Sequence, residues 1–133
     1  PIIAHLRERK EKFEFAGDTL RERASFYLVL NPDELSIRET DRAIEGMERS
    51  GLSVDGLVIN RVTPGPDDDE QGRGAAYLRE RVATERKRID QIQTEFSQPV
   101  VATIETRVEE VKGDLLEDVA EELSIDVSAE AAA

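Results

Sequence analysis

Cysteine is absent from this 133-residue chain, and no apolar run approaches the length of a membrane-spanning helix. The first absence excludes disulfides and thiolate metal sites, and it leaves the redox compartment open. The second excludes a spanning helix, which takes about 20 apolar residues. No signal-peptide pattern begins the chain, so a cytoplasmic location is expected.

Positive charge is also scarce, since 30 acidic residues face 18 basic ones and the formal net charge is -12. Nucleic acids and anionic membrane surfaces are bound mainly through Lys and Arg, so neither partner is expected. Only four of the basic residues are lysines. An acidic, lysine-poor surface predicts a halophilic source, because high salt screens its self-repulsion.

Hydrophobic patterning predicts strands and helices in alternation. Three short apolar runs have the length of buried strands, and they are Phe26–Leu30, Val54–Asn60 and Val100–Ile104. Longer segments with apolar residues at helical spacing separate them, so each strand is followed by a helix. This order predicts an α/β fold with a parallel sheet of about three strands flanked by helices.

The predicted helices have recognisable ends. The opening helix is expected to break at Gly17. The helix Ser36–Ser50 begins with Ser36 and Glu39 in a capping box. In the long helix from about Ala75 to Phe96, the charges predict a solvated face with its own ion pairs, Glu85 with Arg88 and Arg86 with Asp90. A last helix carries Val111, Leu115, Val119 and Leu123.

The chain is expected to form one α/β unit over residues 1–133, with a helical lead-in at 1–24 and a disordered tail at 124–133. Three strands make a narrow sheet whose two edges would need cover. The chain is therefore interpreted as a fragment of a larger protein.

Polar residues follow the predicted strands and would share one edge of a parallel sheet, where α/β proteins bind ligands. They are Pro32–Glu34, Asn60–Arg61 and Glu105–Arg107. An Asn carboxamide carries a donor and an acceptor, which suits an adenine edge, and Asp33 can accept from a ribose hydroxyl or a base amine. Alternatively, Asn60 caps a turn and Asp33 caps the helix beside Ser36.

The sequence does not support a phosphate-binding loop, a histidine site or a calcium site. Neither a G-x-x-x-x-G-K-[ST] nor a G-x-G-x-x-G motif occurs, so nothing in the sequence cradles phosphates. His5 is the single histidine and is expected on the surface. The acidic loop after Asp67 resembles a calcium loop, but Leu78 stands where a bidentate carboxylate is required.

Two segments resemble the family of arsenite-pump and tail-anchored-protein-targeting ATPases. The first, "NPDELSIRETDRAIEGMERSGLSVDGLVINRVTP", has the family's strand, Leu-Ser-x-x-Glu-Thr-x-Arg helix and strand ending in Asn. The second, "EEVKGDLL" at Glu109–Leu116, resembles the segment after its last core strand. The opening helix resembles the stretch that returns from the family's helical subdomain.

The resemblance implies roles for particular residues. Asp33 takes the place of a nucleotide-contacting glutamate and Asn60 that of an adenine-contacting asparagine. The loop that lies against the base would be formed by Thr106, Arg107, Val108 and Glu109. Glu34, Leu35 and Glu39 would lie near the nucleotide or a subunit interface.

The family also implies partners. Its full-length members are dimeric P-loop ATPases that hold ATP with Mg²⁺ through segments upstream of anything present here, so this chain alone is expected not to hydrolyse ATP. A homodimer, a membrane pump subunit or a tail-anchored client would be its partners. Dimerisation through a shared zinc ion and arsenite binding both require cysteines in this family, and this chain has none.

Two other interpretations stay open. The chain could be a non-catalytic interaction module derived from this fold. A relative of chromosome- or septum-partitioning ATPases shares the strand that ends in Asn, but not the Pro-Asp segment.

Overall fold

The computed structural model describes residues 1–123, in which helices and strands alternate along the chain. In order, they are α1 (Ile2–Arg23), β1 (Tyr27–Leu30), α2 (Glu34–Arg49), β2 (Gly56–Val62), α3 (Arg73–Glu95), β3 (Val100–Glu105) and α4 (Leu115–Glu122). The predicted α/β class is confirmed. The tail predicted for residues 124–133 lies outside the described residues.

The three strands form one parallel sheet in the order β1-β2-β3, as predicted. Leu30 of β1 lies opposite Ile59 of β2, and Ile59 lies opposite Thr103 of β3. As the middle strand, β2 has a neighbour on each side, and its Leu57 and Ile59 are completely buried.

The main core cluster lies on one face of the sheet. Leu30, Leu57 and Ile59 pack there against side chains of α2 and α3, and the principal ones are Ile37, Ile44 and Ile92. Strand order follows chain order, so two crossovers of the same hand place both helices on the same face. Each buried Ile or Leu contributes roughly 1.5–3 kcal/mol.

The amino-terminal ends of β1 and β2 are joined by a reciprocal pair of hydrogen bonds. The Phe26 amide donates to the Asp55 carboxylate at 2.7 Å, and the Asp55 amide donates to the Phe26 carbonyl at 2.8 Å. The next residue must be glycine, because a Cβ on Gly56 would lie 2.8 Å from Cγ1 of Val101. Side chains of both outer strands thus close over Gly56.

Helix α1 runs without a break to Arg23, so the predicted end at Gly17 was wrong. One glycine costs a helix about 1 kcal/mol relative to alanine, which the good helix formers on either side outweigh. None of its residues is buried, and several large apolar side chains are exposed: Ile2, Ile3, Leu6, Phe13, Phe15 and Leu20. Within residues 1–123, no helix combines the length and apolarity needed to cross a membrane.

Helix α2 begins at Glu34, two residues before the predicted start, and the capping box of Ser36 and Glu39 was wrong. Asp33 is the cap. Its Oδ1 accepts from the Ser36 amide at 2.8 Å and its Oδ2 from the Ser36 hydroxyl at 2.9 Å. Asp caps a helix as well as Ser does. Here the carboxylate gains a second bond from the Ser hydroxyl.

The other predicted boundaries shift by a few residues. Strand β2 begins and ends two residues later than predicted, so Asn60 lies inside the strand and not at its end. Helix α4 begins at Leu115 and leaves Val111 outside, in a segment of turns.

Glu85 joins α3 to the end of β2. It is only 9% exposed. Its Oε2 accepts from the Thr63 amide at 2.7 Å, and its Oε1 accepts from the Thr63 hydroxyl at 2.7 Å and from Nε of Arg81 at 3.0 Å. We call this arrangement the Glu85–Thr63 clasp. The prediction that Glu85 belongs to a solvated face was therefore wrong.

The predicted partner of Glu85 points elsewhere. Arg88 donates to Oε1 of Gln91 at 2.9 Å and lies 3.6 Å from a carboxylate oxygen of Glu34. Arg88 thereby tethers α3 to the first turn of α2. The ion pair with Glu85, which the sequence assigned to Arg88, is formed by Arg81 instead.

Opposing influences act on the pKa of Glu85. Burial is the largest of them and raises the pKa. The hydrogen bonds from the Thr63 hydroxyl and amide, together with the Arg81 guanidinium, outweigh burial and hold the pKa below its ordinary value of 4.5. The carboxylate is therefore charged at neutral pH and accepts all three bonds.

Glu85→Gln should lower the free energy of unfolding at neutral pH by about 1–2 kcal/mol, because charge-assisted bonds become neutral ones. A lowered pKa in the folded state means that this stabilisation is complete above pH 4.5 and is lost as the pH falls through the folded-state pKa. Urea unfolding at a series of pH values should show the difference between the two proteins shrinking in acid.

Glu80→Gln on the exposed side of the same helix is the control and should change little at any pH. A Glu85→Gln deficit that stays constant into acid would contradict the role given to the Glu85 charge.

Candidate functional site

The carboxyl ends of the three strands meet at one edge of the sheet, which we call the rim. Because Leu30, Ile59 and Thr103 are aligned across the sheet, the residues that follow them lie along this edge. Asn31 follows Leu30, Asn60 follows Ile59, and the loop after β3 begins at Thr106. The predicted site residues are all carried by these three segments.

Asn60 occupies a β-bulge. From Ile59 to Val62 the chain advances three residues, whereas the paired stretch of β3 advances two, from Thr103 to Glu105. The extra residue bends β2, and Arg61 takes a left-handed φ of 58°. The bulge falls where the pairing with β1 has just ended. It therefore changes the direction of β2 at the rim.

The Asn60 carboxamide can serve a ligand. It is half-buried and takes part in none of the hydrogen bonds formed among residues 1–123. A carboxamide offers two donors and one acceptor oxygen in one plane. The side chain can therefore pair with an amine and a ring nitrogen of a planar heterocycle.

Asp33 stands at the rim as the cap of α2, which is the alternative that the sequence left open. It is exposed, and each carboxylate oxygen already accepts one bond from Ser36. A carboxylate has about four acceptor positions. The Asp33 carboxylate can therefore cap α2 and accept a hydrogen bond from a ligand hydroxyl at the same time. Its contact with a nucleotide remains a prediction.

The loop after β3 is tied to the end of β2. The Thr106 amide donates to the Val62 carbonyl at 2.8 Å, which holds the loop beside the bulge. Thr106, Val108 and Glu109 are exposed. Because the Thr106 amide already donates to Val62, the exposed residues of this loop whose amides could serve a ligand are Val108 and Glu109.

The Arg107 side chain is bound to other parts of the protein. Its guanidinium is only 19% exposed, forms an ion pair with Glu122 of α4, and donates to the Glu105 carbonyl at 3.2 Å. The side chain therefore fastens the loop to α4. Any contribution of Arg107 to a ligand would come from its backbone.

Beside the end of β1, a concavity of about 450 Å³ opens next to Asn31. Leu35 and Glu39, which were predicted to lie near a nucleotide or an interface, line it together with Val29. Glu34 does not. Its carboxylate instead lies close to Arg38 and Arg88 and joins α2 to α3.

Two kinds of ligand-binding feature are relevant to the described residues, a cluster of metal-binding side chains and a phosphate-binding loop. Within residues 1–123, no three His, Asp or Glu side chains are grouped so that they could hold a metal ion. The sequence carries no phosphate-binding glycine loop. Among the described residues, the rim thus offers the Asn60 carboxamide, the Asp33 carboxylate and backbone groups as hydrogen-bonding partners.

Two features of the site were missed in the sequence. The left-handed conformation of Arg61 could not be predicted from the sequence, because glycine or asparagine usually occupies such a position and arginine does not. Glu85 did leave a signal. It falls within the apolar stripe formed by Leu78, Val82, Ile89 and Ile92, where a carboxylate is out of place unless it is paired.

Known proteins resemble this chain along most of its length. The family described as anion-transporting ATPase matches residues 1–124. "Putative arsenical pump-driving ATPase 2" of Aquifex aeolicus is 31% identical over 111 residues, which is 84% of this chain and 35% of that protein. "Putative arsenical pump-driving ATPase" of Halobacterium salinarum is 31% identical over 95% of this chain and 20% of its own length.

The chain thus spans about a third or less of the length of these relatives. Most of the chain, from α1 to α4, takes part in the match. The resemblance inferred from the sequence is confirmed, and the chain belongs to the anion-transporting ATPase family.

Proposed function

We propose that the rim forms the base-contacting wall of the nucleotide site of an ATPase. The observation that supports this proposal is the bulge, because Asn60 falls in the irregular end of β2, two residues before the Val62 carbonyl that accepts from the Thr106 amide. Membership of an ATPase family supports a purine as the planar heterocycle. The Asn60 carboxamide would pair with the base edge, and backbone groups of 106–109 would line its flank.

The contacts that we assign to the base itself are neutral. Asn60 and backbone amides hydrogen-bond a base without adding charge, whereas the chain carries a formal net charge of -12. Binding of the triphosphate and Mg²⁺ would therefore come from polypeptide beyond this sheet. The described residues alone would bind a nucleoside weakly and would not hydrolyse ATP.

The wider activity is part of the same proposal. The whole enzyme would hydrolyse ATP, positioning and electrostatics would stabilise the transferred phosphoryl group, and hydrolysis would drive anion export or membrane-protein targeting. A homodimer, a pump subunit or a tail-anchored client would be the partner, in the cytoplasm. A halophilic source would accompany the acidic surface, and a melting temperature unaffected by molar salt would contradict it.

A non-catalytic interaction module is the second candidate. It is favoured by α1, whose large apolar side chains are exposed, with Phe13 at 71% and Phe15 at 73%. The coding sequence upstream of Pro1 discriminates between the two. A phosphate-binding loop there favours the enzyme, and a stop codon favours the module.

Asn60→Ala should weaken ADP binding to the intact protein about tenfold, because the base edge loses a hydrogen-bonding partner. Isothermal titration calorimetry gives the dissociation constants. Gln98→Ala is the matched control, since it also truncates a carboxamide but lies before β3, at the opposite edge of the sheet. Equal affinities for the two variants would remove Asn60 from the site.

The Asp33→Asn variant should distinguish the role of Asp33 as a helix cap from its role as a ligand contact. Asn caps helices as well as Asp does, so the free energy of unfolding should change by less than about 0.5 kcal/mol, whereas Asp33→Ala should cost about 1 kcal/mol. ADP affinity should fall severalfold in Asp33→Asn, because an amide accepts from a ribose hydroxyl less strongly than a carboxylate. An unchanged ADP affinity would mean that Asp33 caps α2 and does not contact the ligand.

A further inference from the structure

The bulge at the rim contains a strained residue that its surroundings must hold in place. Arg61 has a φ of 58°, in the left-handed region that residues with a Cβ rarely adopt. Such a conformation persists only where neighbouring contacts fix the chain on both sides. What holds the chain beside Arg61 therefore also decides where Asn60 points.

Support from the sheet is incomplete at this point. Within residues 1–123, β1 ends at Leu30, opposite Ile59, so β2 beyond Ile59 has a strand neighbour on the β3 side only. There Val62 lies opposite Glu105 and accepts from the Thr106 amide at 2.8 Å. The β1 side of the bulged segment needs another anchor.

The Glu85–Thr63 clasp lies directly after the bulge. Glu85 accepts from both the amide and the hydroxyl of Thr63, each at 2.7 Å. Two bonds to one residue fix its orientation as well as its position. Nε of Arg81 donates to Oε1, the oxygen that also accepts from the Thr63 hydroxyl, at 3.0 Å. Thr63 is three residues from Asn60, about 10 Å along an extended chain.

We propose that Glu85 is a positioning residue of this site, which holds Thr63, fixes the strained turn at Arg61 and so aims the Asn60 carboxamide. This inference rests on the proposed function, because it assigns Asn60 a purine to face. Glu85 itself lies on α3 and touches no ligand. A consequence is that α3 and the base-contacting wall move together.

The first test uses the intact protein without nucleotide. Glu85→Leu removes the clasp, and Glu85→Gln restores most of it, because the amide can accept from the Thr63 amide and donate to the Thr63 hydroxyl. The NMR signals of the Asn60 side-chain amide and the Arg61 backbone amide should move in Glu85→Leu and stay close to the wild-type positions in Glu85→Gln.

Loss of stability alone should not give this pattern. Ile92→Val, two turns further along α3 and completely buried in the core, is the control because it weakens packing without touching Thr63. Its urea midpoint should fall, but its Asn60 and Arg61 signals should stay in place. Unmoved signals in Glu85→Leu, or equal movement in Ile92→Val, would overturn the proposal.

The second test adds ligands. The dissociation constant for adenosine should rise about tenfold in Glu85→Leu, recover in Glu85→Gln, and stay at the wild-type value in Ile92→Val. Affinity for tripolyphosphate, which has no base, should be the same in all four proteins. A parallel loss for both ligands would mean general disruption and would overturn the positioning role.

The two proposals fail separately. If adenosine leaves the wild-type Asn60 signal unmoved, the proposed function fails, while the ligand-free signals still report whether Glu85 positions Asn60. If adenosine moves the Asn60 signal equally in the wild type and Glu85→Leu, the proposed function stands and the positioning role of Glu85 fails.

Discussion

The parallel pairing of β2 with both neighbours is the constraint on which the rest of the structure depends. Aligning Leu30, Ile59 and Thr103 buries the apolar residues of the middle strand under α2 and α3. The same alignment decides which residues come next at the rim. A shift of one residue against β1 would turn every β2 side chain to the opposite face, so core and site both depend on the pairing of β2.

The site arises where that regular pairing stops. Pairing with β1 ends at Ile59, an extra residue enters β2, and the chain passes through the left-handed Arg61 before Thr63 is clasped by Glu85. The left-handed Arg61 is unfavourable by itself, and the Glu85–Thr63 clasp that follows it offsets this cost. The result is a neutral hydrogen-bonding group at the edge of a strongly acidic chain, which suits a base better than a phosphate.

Much of the fold could be predicted from the sequence, because apolar runs and helical spacing report burial directly. The α/β class, the three strands and the shared rim followed from these patterns. Boundaries did not, since local chemistry decides them. Asp33 accepts from the Ser36 amide, which Glu39 would accept from in a capping box, and Gly17 is outweighed by its helix-forming neighbours. The bulge after Ile59 depends on pairing with β3, which no local pattern in β2 reveals. Glu85 was mistaken for a surface charge, although its place in the apolar stripe indicated a buried partner.

The central claim is that a purine lies against the bulged end of β2. Nuclear Overhauser effects between bound adenosine and the intact protein test it most directly. The account predicts contacts from the adenine H2 or H8 proton to the side-chain amide of Asn60 and to backbone amides of 106–109. Contacts only to residues at the amino edge, around Val54 and Gln98, would contradict it.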